Sequence, residues 1–142
     1  MSINITGEMA LAALEKVVEQ RGENYRYTGI HYSPESPLTS MLCVYVQEDE
    51  RGNEVPGCGV GFALINMGVP MDAFCELGIN SGTSAEDALT ELGDEGYVDS
   101  VSDEAVAIFS DFQYLQDPGY MEYGEILKSI KRNLPGRIRR FR

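Results

Sequence analysis

Glycine and proline cut this chain into short pieces. Gly22, Gly68, Gly78, Gly93, Pro118-Gly119 and Pro135-Gly136 each fall where a run of helical periodicity stops. Glycine supplies the left-handed turn that closes a helix, and proline removes a hydrogen bond from one that tries to continue. At 142 residues the chain is one domain that buries roughly 70% of its unfolded surface. The expected fold is a mostly helical α+β single domain with a small antiparallel sheet.

The pieces between the breaks read as follows. Thr6 caps a first helix, with Glu8 at its dipole-favoured end and an apolar stripe of Met9, Ala12, Ala13, Leu14, Val17 and Val18. Residues 25–40 read as a short strand plus a loop. Met41–Val46 is the strongest strand signal, and a short second strand pairs back across the acidic turn Glu48–Glu54. Gly57–Asn66 reads as a buried glycine-rich helix, Pro70 opens the next, and Gly78 closes it. Thr83 and Glu86 offer a capping box, with Ser84 and Asp87 as the second choice. Ser102 caps what should be the longest helix, with Ala105, Ile108, Phe109, Phe112 and Leu115 on its apolar face. A last helix spans Met121 to about Asn133, with Leu127, Ile130 and Leu134 toward the core.

Charge divides the chain differently. Lys128 to Arg142 holds seven basic residues and no acid, whereas the first 127 residues hold four basic residues against all 23 acids, a formal −19. This gives an acidic globular part, 1–134, and a basic tail, 135–142. Such asymmetry speaks of partners rather than fold. The acidic part is poorly suited to nucleic acid, which leaves the tail as the only segment to contact it. Lys128, Lys131 and Arg132 complement a helix C-terminus, so Arg137, Arg139, Arg140 and Arg142 remain as the candidate binding residues. They would dock on the chain's own acidic domain, on a neighbouring subunit in a homo-oligomer, or on another acidic partner. No apolar run has the length of a membrane span, no signal-peptide pattern opens the chain, and three cysteines without a C-x-x-C pair suit reduced thiols. The expected location is the cytoplasm of a bacterial host.

The apparent chemical motifs have plain explanations. Gly57-Cys58-Gly59-Val60-Gly61 does not match G-x-G-x-x-G, since Leu64 or Phe62 stands where the third glycine belongs, and no Walker-type lysine follows. Close packing against a sheet accounts for those glycines. Cys58 lies at a helix start, where dipoles lower a thiol's pKa, and His31 is the only base to pair with it. That pair is the alternative site, for a small-molecule binder or Cys-dependent hydrolase. His31, Cys43, Cys58 and Cys75 lack zinc spacing, and neither acidic loop matches a calcium-binding EF-hand. No catalytic residue, metal or cofactor is expected.

Two stretches resemble a group of small actinobacteriophage and actinobacterial accessory proteins of no established activity. Pro56-Gly57-Cys58-Gly59-Val60-Gly61-Phe62-Ala63-Leu64, then Met67-Gly68-Val69-Pro70, is similar to the group's P-x-C-x-V-G-x-A-L and L-G-V elements. Gln113-Tyr114-Leu115-Gln116-Asp117-Pro118-Gly119, then Tyr123-Gly124, is similar to its Q-x-x-Q-D-x-G and W-G elements. Phe62 stands where the group commonly has His, and Tyr123 replaces Trp. The resemblance implies a phage-type accessory protein. With the charge segregation, it points to a non-enzymatic interaction protein that binds a host macromolecule, with nucleic-acid mimicry by the acidic surface as one form. A host protein is the expected partner, and a membrane is not. An oligomeric structural or virion component is a further alternative.

Overall fold

A computed structural model of the chain describes residues 3–27, 44–48, 51–80 and 83–140. Among these, the elements in order are β1 (Asn4–Ile5), α1 (Gly7–Arg21), β2 (Val46–Glu48), β3 (Glu54–Pro56), α2 (Gly59–Asn66), α3 (Met71–Glu76), α4 (Ala85–Asp94), β4 (Ser100–Val101), α5 (Asp103–Gln116) and α6 (Tyr123–Arg140). The mostly helical α+β architecture is thus present. Helix α5 is its axis, because it packs against α1, α2, α4 and α6. Its buried face of Ala105, Ile108, Phe109 and Phe112 follows the helical repeat read from the sequence.

Local signals placed most helix ends. Thr6 Oγ1 accepts from the Met9 N–H at 3.2 Å, and Gly22, at φ +99°, donates its N–H to the Val18 carbonyl at 2.7 Å. The buried stripe of α1 is Ala10, Ala13, Leu14, Val17 and Val18, while Met9 is 43% exposed and Ala12 also faces outward. The true stripe keeps strict i, i+3, i+4, i+7 spacing, which Met9 and Ala12 miss by one position. Pro70 stands at the N-cap of α3, just outside its first turn, and Gly78 (φ +69°) follows the C-cap.

Three boundaries differ from expectation. Ser84, not Thr83, caps α4, its Oγ accepting from the Asp87 N–H at 3.1 Å. Thr83 is held outside the helix because its carbonyl accepts from the Tyr45 hydroxyl at 2.7 Å and from Gln113 Nε2 at 3.2 Å. Helix α4 ends at Asp94 rather than Gly93, and Gly96 (φ +83°) makes the turn. Finally, α5 is shorter than both α1 and α6, since α6 runs past Pro135 and Gly136 to Arg140. Proline's fixed φ is itself helical, and its missing hydrogen bond leaves a carbonyl on Lys131, which is exposed and can be hydrated.

The sheet is small, and side chains add to its main-chain pairing. β2 and β3 pair antiparallel, with Val46 opposite Pro56 and Glu48 opposite Glu54. Before them, Asn80 stands in for a neighbouring strand. Its carbonyl accepts from the Tyr45 N–H at 3.0 Å. Its side chain accepts from the Val46 N–H at 2.8 Å and donates to the Val46 carbonyl at 2.9 Å. The first half of the expected strand, residues 41–43, and the expected strand and loop beyond Tyr27 lie outside the described residues. A second pair is parallel, beyond the small antiparallel sheet expected. β1 joins β4 with Asn4 opposite Ser100 and Ile5 opposite Val101, and Asp99 Oδ2 accepts from the Ile3 N–H at 2.6 Å.

Candidate functional site

The glycine cluster is a packing surface. A Cβ on Gly57 would meet the Val44 carbonyl, one on Gly61 would lie 2.8 Å from Tyr45 Cα, and one on Gly59 would run into the Phe112 ring. The absent side chains let α2 approach the Val44–Val46 segment and α5 at backbone distance.

Cys58 and Gln116 take up the start of α2. Cys58 is the N-cap, fully buried, and its Sγ accepts from the Gly61 N–H at 3.4 Å. Gln116, also fully buried, accepts from the Gly59 N–H at 3.0 Å. The Gly59 amide is thus taken by Gln116 and the Gly61 amide is directed at the Cys58 sulfur, so neither is open to a phosphate. His31 and Cys43 lie outside the described residues, and Cys75 is exposed while Cys58 is buried. No metal-ligand cluster occurs among the described residues.

Gln116 belongs to a buried polar system whose members are scattered along the sequence. Its Oε1 also accepts from the Tyr123 hydroxyl at 2.8 Å. Arg21 Nη1 donates to that hydroxyl at 3.3 Å and Nη2 to the Pro56 carbonyl at 2.9 Å. The Arg21 guanidinium lies 4.9 Å from the Tyr25 ring centre and 4.7 Å from that of Phe62, a stacked arrangement that suits its weak hydration. Burial pushes the Tyr123 phenol upward, against the lowering effect of Arg21. One turn earlier on α5, Gln113 Oε1 accepts from the Ala85 N–H at 2.7 Å and Nε2 donates to the Tyr45 hydroxyl at 2.9 Å. Two glutamines on one helix therefore cap two others, α2 and α4. A sequence signal existed: Gln113 and Gln116 lie four residues after Phe109 and Phe112, so they continue the buried face.

Next to Gln116, burial raises the Asp117 carboxyl to about 6, partly countered by a hydrogen bond from Gln116. A carboxyl raised in the folded state contributes most below its unfolded pKa, near 4, and loses that contribution as pH rises through about 6. Asp117→Asn should therefore stabilise the protein at pH 7.5 by about 1 kcal/mol, a value kept small because the carboxylate is half exposed. Thermal melts should show that advantage disappearing by about pH 4. An advantage unchanged across this range would show that Asp117 carries no shifted proton.

The outer surface has a different character. Between Arg51 and Lys128 the chain has no Lys or Arg but fifteen Asp and Glu. Helix α4 turns Ala85, Ala88, Leu89 and Leu92 inward, leaving Asp87, Glu91, Asp94 and Glu95 exposed on one face, spaced about 6 Å per turn. Beside this row, Glu86 and Thr90 of α4 and Asp103, Val106, Ala107, Ser110 and Asp111 of α5 enclose a groove of about 380 Å³. Short side chains at Ala107 and Ser110 leave the space. Along the same face of α5, four and three residues on from Ser110 and Asp111, stands Tyr114, 78% exposed.

Two ion pairs lie elsewhere among the described residues. Lys131 Nζ is 3.7 Å from Glu15 on α1, and Arg26 is 3.9 Å from Glu122. Of the candidate tail residues, Arg137, Arg139 and Arg140 fall on the α6 backbone, and Arg142 lies outside the described residues. No helix among the described residues is long and apolar enough to cross a membrane. No family model, curated protein or solved structure matches the chain.

Proposed function

We propose that this is a non-enzymatic, phage-encoded interaction protein that binds a basic, nucleic-acid-binding host protein through its α4–α5 face, as a nucleic-acid mimic. The observation that carries this reading is the end of α4. Asp94 and Glu95 occupy its last turn and C-cap, and no basic residue is there. Negative charge at the negative end of a helix dipole costs about 0.3–1 kcal/mol per residue, and the like-charged row Asp87, Glu91 and Glu95 adds repulsion at i, i+4. The fold carries these costs where Lys or Arg would have been favourable. A cationic partner would offset both, and clustered carboxylates would draw it in over a screening length of about 10 Å at 0.1 M salt.

The test couples stability to binding. Asp94→Lys with Glu95→Lys should raise the melting temperature by a few degrees, about 1–2 kcal/mol. The same variant should lose at least tenfold in capture of DNA- and RNA-binding proteins from host lysate. Capture by the parent chain should be reversed by added DNA. Prey that remain in the presence of DNA, or no specific prey at low or high salt, would defeat the reading.

A further inference from the structure

We propose that the Arg21 guanidinium binds the oxyanion, carboxylate or phosphate, of a small ligand that also carries a flat apolar group. Arg21 is the half-buried last residue of α1. Its Nη1 donates to the Tyr123 hydroxyl at 3.3 Å and its Nη2 to the Pro56 carbonyl at 2.9 Å. Each of these nitrogens carries a second N–H, and Nε a further one. Those remaining donors have no acceptor among the described residues. The guanidinium also lies over the Tyr25 and Phe62 rings, 4.9 Å and 4.7 Å from their centres. It is therefore fixed in place with part of its donor fork unused.

None of these partners is an anion. The Pro56 carbonyl and the two rings are neutral, and burial keeps the Tyr123 phenol protonated by pushing its pKa upward. Tyr123 gives that proton to Gln116 as a hydrogen bond. The end of α1 supplies about half an elementary charge of negative dipole. Glu122, the neighbour of Tyr123, lies 3.9 Å from Arg26 instead. So in a chain with 23 acids, Arg21 has no carboxylate partner among the described residues. Half-buried charges are ordinarily paired. A guanidinium already held by hydrogen bonds and rings loses little freedom in taking up a two-oxygen acceptor. Tyr25 and Phe62 are both partly buried at the edge of the core, which gives the ligand an apolar flank beside its anion.

Titration of the full, nitrogen-15-labelled chain tests this, read at the arginine Nε–Hε signals at constant ionic strength. The probes are benzoate and phenyl phosphate, with acetate and inorganic phosphate as the bare anions and chloride as control. The Arg21 signal should move saturably with benzoate or phenyl phosphate, more weakly with the bare anions, and not with chloride. Saturation by benzoate alone assigns a carboxylate ligand, and saturation by phenyl phosphate alone a phosphate. Arg21→Lys keeps the charge but loses the planar fork, so affinity read at the Gly22 amide should fall about tenfold. Phe62→Leu keeps the Arg21 hydrogen bonds and should weaken the aromatic anions while leaving acetate and inorganic phosphate unchanged. It carries the comparison if Arg21→Lys fails to fold. No saturable movement at Arg21, or movement equal to that of the Arg137 and Arg142 signals, overturns the proposal. So does a folded Arg21→Lys chain that binds as tightly as the parent, or a Phe62→Leu chain with unchanged affinity for the aromatic anions.

Discussion

Gln116→Leu should lower stability by about 3 kcal/mol, because two buried groups, the Gly59 N–H and the Tyr123 hydroxyl, lose their acceptor together. For a chain of this length that is a fall of about 10 °C in melting temperature. Leucine matches glutamine closely in size, so packing changes little and the unmade hydrogen bonds dominate. The effect should be partly relieved by Tyr123→Phe in the same chain, which removes one stranded group, with a coupling of about 1 kcal/mol between the two sites. A single-variant loss below about 1 kcal/mol would mean that water reaches this site and that the network does not tie α2 to α5.

The second large effect belongs to Gly61→Ala. Its new methyl would overlap the Tyr45 carbonyl and lie 2.8 Å from Tyr45 Cα. Both obstacles are main chain, so no rotamer relieves them. That segment is also pinned by Asn80 on one side and the β2–β3 hairpin on the other. The helix must move away or the strand must yield, at a cost of about 3 kcal/mol. Gly93→Ala is the contrasting case. It lies inside α4 with its nearest neighbour, the Val98 carbonyl, 3.9 Å from an added Cβ. There alanine should stabilise by about 0.5–1 kcal/mol, because it restricts the unfolded chain and favours helix. Urea melts of the two variants should shift in opposite directions. A shared direction would show that close approach does not set the requirement at Gly61.

Legibility followed the range of the forces involved. Caps at Thr6 and Ser102 act over three residues, so sequence located them correctly. Thr83 and Ser84 offered equivalent local chemistry, and the choice was made by Tyr45 and Gln113, which are distant in sequence. The strand at Met41–Val46 had strong propensity, and its described part pairs with the main chain of Pro56–Cys58, while Asn80 and the Tyr27 hydroxyl, which accepts the Val44 N–H at 2.9 Å, take further main-chain groups. Helix α6 passed two strong breakers because its cost falls on an exposed carbonyl. At the candidate site, the excess of acid was plain from composition, but its arrangement was not.

By itself the sequence determined the helical periodicity, most helix starts, the close packing required by Gly57, Gly59 and Gly61, and the separation of charge between the acidic body and the basic end. These are properties of neighbours along the chain, or of charge, which needs no fold to be counted. Only the tertiary structure decided that Gln113 and Gln116 cap helices α4 and α2, that Arg21 spans α1, β3 and α6, and that carboxylates from two helices share one groove. Each of those depends on residues brought together across tens of positions. A buried donor takes whatever acceptor the packing presents, and one-dimensional spacing does not record which acceptor that is.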